Sequence, residues 1–73
     1  MREEEQEIVD YVLDSEDLLN EITGIFYSDD SVDPETDILR RIKEVVKESF
    51  PSYYDIVSWK EIIDTIEYTL VSE

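Results

Sequence analysis

The sequence predicts a small all-α domain, a bundle of three or four helices. Apolar residues recur at spacings of three and four in three segments of the 73-residue chain, which is the pattern of helices with one buried face. One Gly and two Pro mark segment ends, and the 41% hydrophobic content is too high for a disordered chain. Helices that each carry one apolar stripe bury it by packing together, so residues 1–73 form a single domain.

The first helical segment runs from about residue 4 to residue 26. Asp14 and Ser15 interrupt it with residues that favour a helix start. We therefore expect either one continuous helix or two helices broken near residue 14. Its predicted buried stripe consists of Ile8, Tyr11, Val12, Leu18, Leu19, Ile22, Ile25 and Phe26.

The next helix is predicted to begin at Asp33-Pro34-Glu35. Asp33 can accept bonds from the first backbone amides, and Pro34 suits the first helical position. Pro51 ends the helix at Ser49 or Phe50. The predicted stripe is Ile38, Leu39, Ile42, Val45, Val46 and Ser49. Basic residues here alternate with acids at helical spacings, which favours pairing within the helix over nucleic-acid binding; they are Arg40, Arg41, Lys43 and Lys47, with Glu44 and Glu48.

A short element around residues 52–57 precedes the last helix, which is predicted at about 59–71. Ser58 and Glu61 have the spacing of a capping box, and Val57 with Ile62 has that of a hydrophobic staple. The predicted core face of the last helix is Ile62, Ile63, Ile66 and Leu70.

Negative charge is concentrated in the first half of the chain. The net charge is −15, and residues 1–37 hold fourteen acids and one base. Nucleic acids and anionic membranes are therefore disfavoured partners, and a basic protein surface is favoured. The alternative is that the acids serve solubility alone.

Catalysis is not expected from this composition. The chain lacks cysteine and histidine, the usual thiolate nucleophile and general base. A calcium loop starting at Asp29 would need Gly at its sixth position and Glu at its twelfth, but these are Pro34 and Arg40. We expect no catalytic, cofactor or metal residues. The Arg-Glu-rich start and the lack of a long apolar run favour a cytoplasmic location.

Three large aromatic residues stand within seven positions, at Tyr53, Tyr54 and Trp59. Tyr and Trp dominate protein-interface hot spots. We expect at least one of these rings to belong to the core and at least one to a contact surface.

The segment Pro51-Ser52-Tyr53-Tyr54-Asp55-Ile56-Val57-Ser58-Trp59 resembles a stretch of the immunity proteins of DNase colicins and pyocins, Pro-Ser/Asp-Gly-x-Asp-Leu-Ile-Tyr-Tyr. Pro51, Asp55, Ile56 and Val57 match in spacing and type, while the family's Tyr pair falls on Ser58 and Trp59. Ile8-x-Asp10-Tyr11 with Glu16-x-Leu18-Leu19 is similar to the family's opening, and residues 62–66 are similar to its last helix.

This resemblance implies a distorted four-helix bundle that inhibits a nuclease toxin by binding beside its active site and excluding DNA. The implied anchor residues are Tyr53, Tyr54, Asp55 and Trp59. The implied electrostatic rim is Asp29, Asp30, Asp33, Glu35 and Asp37.

Two other functions compete with this reading. One is a phage-encoded DNA mimic that blocks a DNA-binding host protein, which needs carboxylates spaced along an extended surface. The other is a regulatory module that dimerises through its helices. Of the two oligomeric states, we expect a monomer rather than a homodimer.

Overall fold

The protein is a bundle of four α-helices, as the sequence predicts. The computed structural model describes residues 2–28 and 32–72. The helices are α1 (Glu3–Asp14), α2 (Glu16–Phe26), α3 (Pro34–Ser49) and α4 (Trp59–Ser72), and a 3-10 turn covers Pro51–Tyr53. None of the helices in this part of the chain combines the length and the apolar character that crossing a bilayer requires.

Ser15 divides the first segment into two helices, which decides between the continuous helix and the broken one that the sequence left open. Its backbone is extended (φ −88°, ψ 105°), and its Oγ accepts a bond from the amide of Leu18 at 3.4 Å. The amide of Ser15 still donates to Tyr11 O at 3.2 Å, which closes the end of α1. One serine thus ends the first helix and caps the next.

The predicted bounds of α3 are confirmed. Asp33 caps the helix by accepting bonds from the amide and the hydroxyl of Thr36, at 3.3 and 2.6 Å, and Pro34 occupies the first helical position. These bonds lower the pKa of Asp33. At the other end, the Phe50 amide donates to Val46 O at 2.7 Å, and Pro51 begins the 3-10 turn.

The helices pack in a ring, α1 on α2, α2 on α3, α3 on α4 and α4 on α1. Most of the predicted stripes are buried, including all four residues predicted for α4. The buried apolar residues are Ile8, Val9, Val12, Leu18, Ile22, Ile38, Ile42, Val45, Val46, Ile62, Ile63, Ile66 and Leu70.

Two predictions for the buried stripes are wrong, and two buried residues lie outside them. Tyr11 is 44% exposed, and Ser49 is exposed at the last residue of α3. Val9 and Glu5 are buried instead. The reason is geometric: breaking the helix at Ser15 lets α1 present residues 5, 8, 9 and 12 to the core, one stripe at spacings of three and four.

The bundle has two distinct ends. At one end α1 and α4 begin, and Glu5 of α1 accepts a bond from the Ser58 amide that precedes α4. At the other, the C-termini of α2 and α4 meet, where the Tyr27 hydroxyl donates to Leu70 O at 3.4 Å. Glu67 of α4 is half-buried, and burial, followed by the charges of Glu35 on α3 and of Asp64, raises its pKa.

Candidate functional site

The segment from residue 50 to residue 59, called here the aromatic turn, runs back along α1. The Phe50 ring packs against the edge of Tyr11, with centroids 5.4 Å apart. Three residues later the Tyr53 hydroxyl donates to Glu7 Oε2 at 2.6 Å. Next, Ile56 O accepts from Arg2 Nη1 at 3.1 Å. The turn therefore follows α1 from near its end to its start.

Stacked and edge-on rings give the aromatic turn a defined shape. Phe50 and Tyr53 are stacked at 5.5 Å and 11°, while Tyr54 meets Trp59 at 5.3 Å and 65°. Both are favourable ring geometries. The ammonium of Lys43, from α3, lies 5.7 Å from the Trp59 ring and makes a cation–π contact.

Each ring of the predicted anchor belongs partly to the core and partly to the surface. Tyr53, Tyr54 and Trp59 are all half-buried and pack against the buried core. We expected some rings to be core and others to be contact surface. Instead, each of the three side chains has one part in the core and another part exposed. Asp55, the fourth predicted anchor residue, is exposed beside them.

Acids of α1 surround the Tyr53 hydroxyl. The bond to Glu7, burial, and the charges of Glu7, Glu4 and Glu3 together raise the pKa of Tyr53. Glu3 and Glu7 are exposed and Glu4 is half-buried. Rings and carboxylates thus form one surface, called here the aromatic–acidic surface, made of Glu3, Glu4, Glu7, Tyr53, Tyr54, Asp55 and Trp59.

A buried glutamate ties the aromatic turn to α1. Glu5 is 1% exposed; its Oε1 accepts from the Arg2 amide at 2.9 Å and its Oε2 from the Ser58 amide at 2.6 Å. These two backbone bonds, Arg2 first, lower the pKa of Glu5. One carboxylate thereby closes the first turn of α1 and holds the residue that precedes α4.

Ser58 directly precedes α4, as the predicted capping box requires, but the predicted role of Glu61 in that box needs correction. We expected Glu61 to accept the Ser58 amide, but Glu5 takes that bond from another helix. The signal for Glu5 was present in the sequence, since it lies three, four and seven residues before Ile8, Val9 and Val12. Because charged residues are rarely buried, a glutamate at this position is expected to be exposed to solvent even when its spacing matches the buried stripe.

The described residues of the predicted rim, Asp33, Glu35 and Asp37, do not adjoin the anchor. Asp33 is engaged in capping, Glu35 is exposed, and Asp37 lies 3.9 Å from Arg40. They occupy the start of α3, whereas the aromatic turn follows its end. The 16 residues of α3 span about 24 Å at 1.5 Å each. Asp29 and Asp30 lie outside the described residues.

Ion pairs within residues 2–28 and 32–72 lie on α2, α3 and α4. Arg41 binds Glu21 of α2 and Glu44, and Lys60 lies 3.8 Å from Asp64. The predicted pairing within α3 is thus confirmed for Arg41, which also links two helices. In the same ranges no Lys or Arg pairs with an acid of α1.

The described part of the chain contains no group of three or more His, Cys, Asp or Glu arranged to hold a metal ion. What the aromatic–acidic surface offers is recognition: ring faces, hydroxyls and carboxylates. No protein-family model matches the chain, and neither a curated protein nor a solved structure shows significant similarity to it.

Proposed function

We propose that this protein is an inhibitor of the immunity type, which docks on a basic nuclease and blocks its access to DNA. The observation that carries the proposal is the course of the aromatic turn along α1. It joins half-buried rings to carboxylates that have no internal counter-ion among the described residues. Such a surface complements a cationic one.

The two components have separate tasks in this proposal. The carboxylates speed the encounter with a basic protein and orient it. The rings then anchor the complex, because Tyr and Trp bury large areas at little entropic cost. Glu5 supports both by fixing the turn against α1 before a partner arrives, which reduces the ordering needed on binding.

The position of the acids modifies the role of the predicted rim. Glu3, Glu4 and Glu7 lie against the anchor, whereas Asp33 and Glu35 lie a helix length away. We therefore assign the electrostatic contribution at the anchor to α1. The acids at the start of α3 contribute to the long-range field, or to a second contact with a large partner.

DNA mimicry is the second candidate, and a row of acids on α1 favours it. Glu3, Glu7, Asp10 and Asp14 are all exposed, and their spacing of four, three and four places them along one side of the helix. The row spans about 16 Å, over which a duplex carries about ten phosphate charges. Four charges are too sparse for a full duplex, so the anchored inhibitor is favoured.

Self-association through exposed apolar residues is the third candidate. Tyr68 and Val71, at the far end of α4, are 75% and 67% exposed. Sedimentation velocity at low and high salt tests it directly. A monomer at both salts excludes dimerisation, and dimers that strengthen with salt would support it.

The proposal is tested by capturing the partner and measuring its activity. The full chain is immobilised and exposed to extracts of its source cells at about 50 mM and at about 500 mM salt, since screening weakens charge-driven binding. The captured protein is purified and assayed for DNA cleavage with and without the chain. We expect a basic nuclease that the chain inhibits.

Two tyrosine variants assign the effect to a surface. Tyr54→Ala removes a ring of the anchor, and we expect it to weaken inhibition at least about tenfold, as for a hot-spot residue. Tyr68→Ala removes an exposed ring at the other end of the bundle and should leave inhibition unchanged. Thermal melts confirm that both variants fold. Equal inhibition by the two variants would contradict the proposal.

A further inference from the structure

A shallow groove separates the start of α2 from the end of α3, next to the aromatic turn. Leu18 and Val45 form its apolar floor, and the half-exposed Tyr11 ring forms one wall. Its volume is about 230 Å³. Because pockets for drug-sized ligands begin near 300 Å³, this groove is sized for a single side chain.

Carboxylates line the groove above that floor. Glu21 is already bound to Arg41, a residue of the groove itself. Asp17 and Glu48 are exposed at its edge, and no Lys or Arg nitrogen of residues 2–28 and 32–72 lies within 4.0 Å of either carboxylate. The groove therefore combines an apolar floor, an aromatic wall and uncompensated negative charge.

We propose that the groove receives an arginine side chain of a basic partner protein. A guanidinium can lie on the Tyr11 ring while its N–H groups reach the Asp17 and Glu48 carboxylates, and its weak hydration suits the apolar floor. The compact, strongly hydrated ammonium of lysine gains less there. A second copy of the chain is a poor occupant because of its charge of −15.

The groove is continuous with the aromatic–acidic surface. Tyr11 forms its wall and also packs against Phe50 at 5.4 Å, and Phe50 stacks on Tyr53. An arginine in the groove would lie beside the proposed anchor. The inference deepens the proposed function and rests on it for the protein that carries the arginine, but the arginine site can be tested without that protein.

The experiment is an NMR titration of the isotope-labelled full chain with the tripeptide acetyl-Gly-Arg-Gly-amide, and in parallel with acetyl-Gly-Lys-Gly-amide. We expect the arginine peptide to shift the backbone amides of Leu18 and Val45 in a saturable manner, and to bind more tightly than the lysine peptide. If neither peptide shifts these amides, or if lysine binds as tightly as arginine, the proposal is overturned.

Two double variants test the location. Asp17→Asn with Glu48→Gln removes both free carboxylates, and we expect about tenfold weaker binding of the arginine peptide. Asp10→Asn with Asp14→Asn removes the same charge from α1 outside the groove and should change binding less than about twofold. Equal losses in both variants would mean a general attraction to the acidic protein and would also overturn the proposal.

The outcomes separate this inference from the proposed function. If the arginine peptide binds in the groove but no nuclease partner is found, the arginine site is supported and the proposed inhibitor function is refuted. If a nuclease partner is found but the peptide does not bind, the inhibitor function is supported and the arginine site is refuted.

Discussion

The two halves of this bundle use charge in opposite ways. Helices α1 and α2 together carry nine acids and no base, whereas α3 alone carries four acids and four bases. Arg40 and Arg41 find carboxylates within α3 or on its neighbour, and Lys43 lies over Trp59. The charges of α3 are thus largely paired within the molecule, whereas the acids of α1 other than Glu5 have no ion-pair partner among the described residues.

Packing does not share this asymmetry. Ile22 on α2 and Ile42 on α3 are both fully buried in the same core. The excess charge of the first half is therefore carried by a scaffold that is as well packed as the second. Uncompensated charge opposes compaction, so the acids of α1 do not serve folding, and the proposed function assigns them to the contact with a basic partner.

The largest effect on stability is expected from truncating a buried isoleucine in either half. Ile22→Ala and Ile42→Ala should each reduce the free energy of unfolding by about 2–5 kcal/mol, through lost burial and a residual cavity. This is a large part of the roughly 4–11 kcal/mol expected for 73 residues. Urea denaturation followed by circular dichroism measures both. A loss confined to one half would show that the halves differ in packing as well as charge.

The next largest effect is expected at Glu5, the acid of α1 that is used internally. Glu5→Gln should lower the melting temperature at pH 7, because glutamine has one acceptor oxygen and therefore leaves one of the two backbone amides, Arg2 or Ser58, without its acceptor. The lowered pKa of Glu5 means that its stabilisation is present above the ordinary value of 4.5 and is lost as the pH falls through the folded-state pKa. The two proteins should therefore converge once the pH has fallen below the lowered pKa of Glu5.

The control for Glu5 is Glu16→Gln, which removes the same charge from an exposed position on α2. It should change the melting temperature little. Hydrogen exchange adds a local measure, since Glu5→Gln should speed the exchange of the Ser58 amide. Equal melting curves for Glu5→Gln and the original protein would show that the bonds of Glu5 to the Arg2 and Ser58 amides contribute nothing to stability.

Smaller effects are expected at the helix caps, one in each half. Ser15→Ala should cost about 1 kcal/mol at any pH, because its hydroxyl does not titrate. Asp33→Ala should lower the melting temperature only above the lowered pKa of Asp33, with the difference shrinking as the pH falls below 3.8. Melts from pH 7 to pH 2 test both. A Ser15 effect that vanished in acid would contradict the capping assignment.

Sequence patterns predicted the parts of this fold that depend on local chemistry. Asp33 with Pro34, and Pro51, act on the adjacent backbone, so their identity located both ends of α3. Ser15 acts in the same way, but its identity only raised the alternative of a break. The buried face of α4 was also predicted in full, because its four isoleucine and leucine residues at helical spacing define a single apolar face.

Features that depend on contacts between distant residues were harder to predict. Glu5 is buried because it meets Ser58, 53 positions away, and no local pattern indicates that partner. The separation between the predicted rim and the aromatic turn follows from the length and direction of α3. The assignment of charge to α1 rather than to the start of α3 needed the three-dimensional arrangement.

The central claim is that the exposed acids of α1 contact the partner. Its most direct test is the affinity of the captured partner for two variants that each lack two acids. Glu3→Gln with Glu7→Gln removes two acids beside Tyr53, and Glu35→Gln with Glu67→Gln removes two acids of α3 and α4 away from that ring. Calorimetry at about 50 mM salt should show affinity at least about tenfold weaker for the first pair and nearly unchanged for the second. If both pairs lowered the affinity equally, or neither did, α1 would not be the docking element.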